Sequence, residues 1–168
     1  MRNDAIEAVG SNGRMLRVEF IWRGDRYGHA VSMTDAGGAI VPLLESIEGC
    51  SEDNWPPSPP LQTLSIEKMP DGRRVALLVG MAGGSHWSAS VEASGANAAL
   101  IFDIACRHTK EPSWLGSRYR RLSDSASKVA IRGEAAKVSS TEDDIEVQPA
   151  VNASAGTSRW QFVLSTEY

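Results

Sequence analysis

Apolar and polar residues alternate in short runs along this chain, and clusters of glycine, proline, asparagine, aspartate and serine separate the runs. Leu16, Val18, Phe20 and Trp22 share one parity against Arg17 and Glu19, the mark of a strand with one buried face. Arg23-Gly24-Asp25 supplies a turn, and Tyr27, His29, Val31 and Met33 resume on one face. Residues 14–22 and 27–34 are therefore expected to form a β-hairpin.

A turn at residues 35–38 leads into Ala39-Ile40-Val41-Pro42-Leu43-Leu44, read as a strand followed by a helical turn near residues 43–48; a second helical turn is read at 4–9. Pro56, Pro57, Pro59 and Pro60 force an extended loop, which Trp55 anchors. In residues 73–81, Val75, Ala76, Leu77, Leu78 and Val79 are apolar on both parities, so a central strand covered on both faces is expected. Residues 85–92 and 99–107 read as adjacent antiparallel strands joined by a turn at 94–97. Residues 158–165 place Trp160, Phe162 and Leu164 on one face, and weaker strand patterns lie in Ser117–Leu122, residues 127–133 and Asp144–Gln148.

No window carries a sustained helical repeat, and the sum is roughly nine or ten short strands. The fold expected is all-β: one antiparallel β-sandwich of jelly-roll type with little helix, spanning residues 1–168 as a single domain. The first twelve residues are expected to be loose. Residues 133–157, poor in large apolar side chains and carrying Thr141-Glu142-Asp143-Asp144, are expected to be a long loop excursion.

Charge narrows the partners. A net charge of −4 argues against double-stranded nucleic acid, which demands a basic footprint. Without an apolar run long enough for a signal peptide or a bilayer span, the chain reads as cytoplasmic, with no membrane partner. Cys50 and Cys106 are isolated, and buried thiols are preferred over a bridge.

The stretch Gly80-Met81-Ala82-Gly83-Gly84-Ser85-His86-Trp87-Ser88 reads as a tight turn feeding a strand. It lacks the Lys-Ser/Thr of a phosphate loop, and no helix follows it. Parity sends Trp87 inward and His86, Ser88, Ser90 and Glu92 outward. With Asp103 on the neighbouring strand, His86 and Ser88 could serve a small hydrolase as a Ser, His and Asp group. No G-x-S-x-G elbow supports that, so a solvated sheet face is preferred. His29, His86 and His108 are scattered without metal-ligand spacing, and no metal or cofactor is expected.

Residues 107–121 set Arg107, Lys110, Arg118, Arg120 and Arg121 against Glu111 alone, with Trp114 and Tyr119 interleaved; Glu45, Glu48, Glu52 and Asp53 make the opposite block. These arginines either pair with the acidic block, within one chain or across a homo-oligomer, or bind an anion, a sugar or single-stranded nucleic acid. Of five tryptophans, Trp22, Trp87 and Trp160 fall on core parities, leaving Trp55 and Trp114 as loop platforms. The preferred function is a non-catalytic module that binds a carbohydrate or a small anionic ligand through Trp55, His86, Trp114, Arg118 and Arg120. The hydrolase using His86, Ser88 and Asp103 and an oligomeric assembly protein are the alternatives.

Overall fold

Thirteen strands and one short 3-10 turn occur among the residues that the computed structural model describes, 4–94 and 97–166. One sheet runs in the order β1 (Ala5–Val9), β2 (Met15–Trp22), β3 (Tyr27–Thr34), β4 (Ile40–Ser46), β9 (Ser117–Arg121), β12 (Asp144–Pro149), β11 (Ala136–Ser140). The other runs β10 (Ala130–Glu134), β13 (Gly156–Ser165), β8 (Ala99–His108), β7 (Ser85–Ala93), β6 (Arg74–Ala82), β5 (Thr63–Lys68). The two antiparallel sheets stack face to face. Each therefore buries one parity of its strands and leaves the other outside, and this is the physical origin of the alternation along the chain.

The first hairpin forms in the register its parity demands, with Leu16 opposite Met33, Val18 opposite Val31 and Phe20 opposite His29. Trp22, placed on the core parity, departs from expectation: at the last position of its strand it is 51% exposed, with its ring set edge-on to Tyr27. Strands β7 and β8 pair as expected, as do the inward positions of β13. Phe102 and Phe162 stack at 4.9 Å in the middle of the core, and Tyr119 from the opposite sheet meets Phe162 edge-on. The turn expected at 94–97 includes Gly95 and Ala96, which lie outside the described residues.

Five expectations are corrected. Residues 4–9 are strand β1, with Ile6 and Ala8 buried, and such a short alternation cannot be told from a helical turn by pattern. The consecutive buried Leu43 and Leu44 mark a β-bulge in β4, where the register slips opposite Val31 and Ser32, and not a helical turn. Of the first twelve residues, 1–3 lie outside the described residues and Ala5–Val9 is a strand; residues 133–157 also contribute strands, where β11 and β12 form a hairpin whose Ile145 and Val147 are buried.

The fifth correction bears on function. Strand β6 is next to the sheet edge; Ala76, Leu78 and Gly80 face the core, with Ala82 partly buried against it. Its other parity carries Leu77, Val79 and Met81, which are 45%, 53% and 51% exposed. The apolar residues on both parities do not reflect two covered faces.

Strand directions gather several connections at one end of the sandwich: the β2–β3 turn, the loop 47–62, the β6–β7 turn, residues 109–116 and residues 150–155. The loop enters β5 by crossing directly over Gly80. A Cβ there would lie 1.7 Å from the Pro60 carbonyl oxygen, so only glycine fits. Gly83 and Gly84 form the two-residue β6–β7 turn, both at positive φ, which suits a tight hairpin of this twist.

Candidate ligand-binding groove

The loop aromatics are engaged in holding this end together. Trp55 is half-buried and meets the edges of Trp87 and His108, at 6.1 and 6.0 Å between ring centres. The Trp114 indole N–H donates to the Pro57 carbonyl at 3.0 Å, and the Arg118 guanidinium covers that ring at 4.9 Å. Backbone and hydroxyl groups of Arg118 and Ser58 exchange two bonds of 3.1 Å, which ties the proline loop to β9.

The basic strand β9 lies between two acidic ones. Arg118 pairs with Glu146 of β12 at 2.7 Å. Arg120 lies in register between Glu45 of β4 and Asp144 of β12, and Glu45 also accepts from Arg23. Arginines at 118 and 120 are thus flanked by carboxylates across the strands, in the way cross-strand charge pairs stabilise a sheet.

His86 stands elsewhere, on the outer face of the six-stranded sheet. Register sets Met81, His86, Arg107 and Thr157 in one row across β6, β7, β8 and β13. The next row is Thr63, Val79, Ser88, Ala105 and Arg159, and the one after it Ser65, Leu77, Ser90, Asp103 and Gln161. Small side chains at Ser88 and Ala105 make a floor between the taller β6 side chains and β13. The resulting groove has a volume of about 540 Å³, with Val79 and Met81 along one wall and His86 and Arg107 at its head. A second hollow of about 490 Å³ continues past His86 and Arg107 over Gly84, Thr109 and Gly156. Gln62 braces the wall: its amide donates to the Met81 carbonyl and accepts from the Met81 N–H, at 3.1 and 3.0 Å.

Among the described residues Arg107 forms no ion pair, whereas Arg17, Arg23, Arg26, Arg73, Arg118, Arg132 and Arg159 each hold a carboxylate. The Ser88, His86 and Asp103 group shares this face without converging. Asp103 lies two rows from His86, roughly 13 Å along the strands, and it is forked by the guanidinium of Arg159.

The other histidines are built into the interior. His29, wholly buried, shares a 2.7 Å hydrogen bond with the Tyr119 hydroxyl, and burial lowers its pKa to about 4. His108 is held by the Lys110 carbonyl and the Ser158 hydroxyl. Beside His29, Ser46 accepts from the His29 N–H and donates to Glu48, whose carboxyl is pushed up to about 7 by burial against the opposing pull of Ser46, Arg26 and Arg23. Glu48 Oε2 and Arg26 Nη1 are buried without a hydrogen-bond partner. Both cysteines are free, Cys106 buried with its thiol pushed up to about 12, and Cys50 exposed where a buried thiol was expected.

At the opposite end, a larger opening of about 730 Å³ lies between Arg121–Asp124 and Thr141–Asp143. Its lining mixes Arg121 with Asp124, Glu142 and Asp143 and has little apolar surface to hold a ligand's body. Pattern reading of the sequence selected His86 but missed Arg107 as an individual residue, together with Val79 and Met81. The signal was present in β6, whose second apolar parity has no core to enter. Comparison with family models, with curated proteins and with solved structures finds no match to this chain.

Proposed function

We propose that this protein is a non-catalytic binding module whose site is the groove headed by His86 and Arg107, and that it takes a small anionic ligand with an apolar body. One observation carries the reading: an arginine without a counter-ion stands beside a histidine where exposed Val79 and Met81 begin. A guanidinium offers a fixed fork of donors suited to a carboxylate or a similar anion, and an apolar wall beside it gives the rest of the ligand a surface to leave water for. Trp55 and Trp114 support this reading from a distance, since their rings and indole N–H position the loop whose Gln62 braces Met81. Arg118 and Arg120 balance the acidic strands and do not extend the groove.

Calorimetric titration of the protein with organic anions tests the proposal. Wild type is expected to bind saturably, and Arg107→Gln to lose at least tenfold in affinity, while Arg120→Gln leaves binding unchanged. Equal affinities for wild type and Arg107→Gln would overturn it.

A further inference from the structure

We infer that the ligand is an amphiphilic carboxylate with an unbranched aliphatic tail, its carboxylate against Arg107 and His86 and its tail running down the sheet alongside β6. The inference rests on the groove being the binding site and assigns the ligand's shape and orientation.

Three features of the outer face define it. Met81, Val79 and Leu77 are successive same-side residues of one strand, so they form a continuous apolar edge whose length is about 13 Å by the rise of a β-strand. Beside that edge the residues of β7 and β8 are small, Ser88 and Ala105 directly opposite one another, and leave a slot without a bulky side chain along its floor. The slot is cationic at one end. Arg107, without an ion pair, stands beside His86 in its first row, whereas the Asp103 carboxylate two rows down is neutralised by Arg159. An anion is therefore drawn to the upper end, and an apolar tail is the part that fits lengthwise below it. A sugar would leave Leu77, Val79 and Met81 facing hydroxyls, whereas an aliphatic tail covers them with apolar surface.

A chain-length series tests this: acetate, hexanoate, octanoate and decanoate, each below its micelle-forming concentration, measured by calorimetry against the full chain. The expected result is an affinity that climbs with each added pair of methylenes, by at most about fourfold per methylene, and levels off once the tail spans the edge. Val79→Ser and Leu77→Ser are expected to flatten the series. Both are surface positions, and unchanged melting curves would show that the fold is intact.

If all four carboxylates bind alike and Arg107→Gln still weakens them, the tail assignment is overturned while the anion site stands. If none binds and Arg107→Gln has no effect, the binding reading falls with it. Concentration-dependent dimerisation abolished by Val79→Ser, with no carboxylate binding, would assign the apolar edge to a second copy of the chain and overturn the inference.

Discussion

Glu48 and His29 meet at one serine, and their shifts pull the stability of the protein in opposite directions. His29 stays neutral in the folded chain down to about pH 4, whereas the unfolded imidazole takes up a proton below about 6.5; its contribution is whole above that pH and is lost as pH falls toward 4. Glu48 holds its proton in the folded chain up to about pH 7, although the unfolded carboxyl releases it near 4.5. Its contribution is whole below 4.5 and is lost as pH rises to 7. Between pH 4.5 and 6.5 the two slopes cancel, and above 6.5 only the Glu48 loss remains. Glu48→Gln removes one slope, so urea unfolding of that variant should show stability rising from pH 4.5 to 6.5 and then level, by up to about 3 kcal/mol. Wild type should instead be flat through that interval and weaken toward pH 7.5. Arg26 lies near Glu48, but its hydrogen bond to Asp25 raises its pKa further, so it stays charged throughout and adds no slope of its own.

Also at the residue scale, two glycines of the same hairpin are required for different reasons. Gly84 has open space around it but a φ of 81°, and Gly80 has an ordinary backbone but no room. Gly84→Ala should cost about 1 to 2 kcal/mol from left-handed backbone strain. Gly80→Ala must displace the Pro60 carbonyl and should cost about 3 kcal/mol or more. Equal losses in urea melts of the two variants would contradict this account of the crossing chain.

At the scale of elements, the loop 47–62 is held by a small number of named contacts, and β6 carries side chains that stability does not need. Trp114→Phe deletes the bond to the Pro57 carbonyl while keeping an aromatic ring, for an expected loss of about 1 kcal/mol in urea unfolding. Replacing Leu77, Val79 and Met81 by serine or threonine, one at a time, should move stability by no more than about 0.5 kcal/mol, since each faces solvent. Large losses at these positions would mean that the outer face is packed against something that stabilises the fold.

The elements also show where pattern reading succeeds. Residues 14–34, 85–107 and 158–165 were legible because their alternation spans a full strand and one sheet covers one parity. Strands β1 and β11 were not, and β10 and β12 showed only weak patterns, because strands of five or six residues with few large apolar side chains carry too little period. The leucine pair of β4 misled because a bulge buries neighbours that a regular strand would separate. Exposure of one β6 face depends on what the facing sheet covers, and a local pattern holds no information about that.

The candidate site was half legible. His86 was selected because parity alone sends it outward. Arg118 and Arg120 were selected for charge, but strand order sets them between Glu45, Asp144 and Glu146, which lie far away in sequence. Arg107 stood out only once β6, β7, β8 and β13 were neighbours, because its companions Met81, His86 and Thr157 come from three other strands.

For the whole molecule, a two-sheet stack gives one continuous core, in which Trp160, Tyr119, Phe102 and Phe162 are fully buried, and two outer faces with different characters. The seven-stranded sheet turns out a ladder of opposite charges around β9. The six-stranded sheet turns out an apolar edge with a cationic head. No helix among the described residues is long and apolar enough to cross a membrane. The asymmetry of the two outer faces bears on the proposed function: on the charged face Arg118 and Arg120 of the β9 ladder have carboxylates on the neighbouring strands, and the other face sets Arg107 beside exposed apolar side chains. The most direct measurement is a nuclear magnetic resonance titration of the isotope-labelled protein with decanoate. Amide shifts confined to Leu77, Val79, Met81, His86, Ser88, Ala105 and Arg107, saturating, with an affinity at least tenfold weaker in Arg107→Gln, are the result this account predicts. Shifts centred on Trp114 and Arg120, or none at any decanoate concentration, would contradict it.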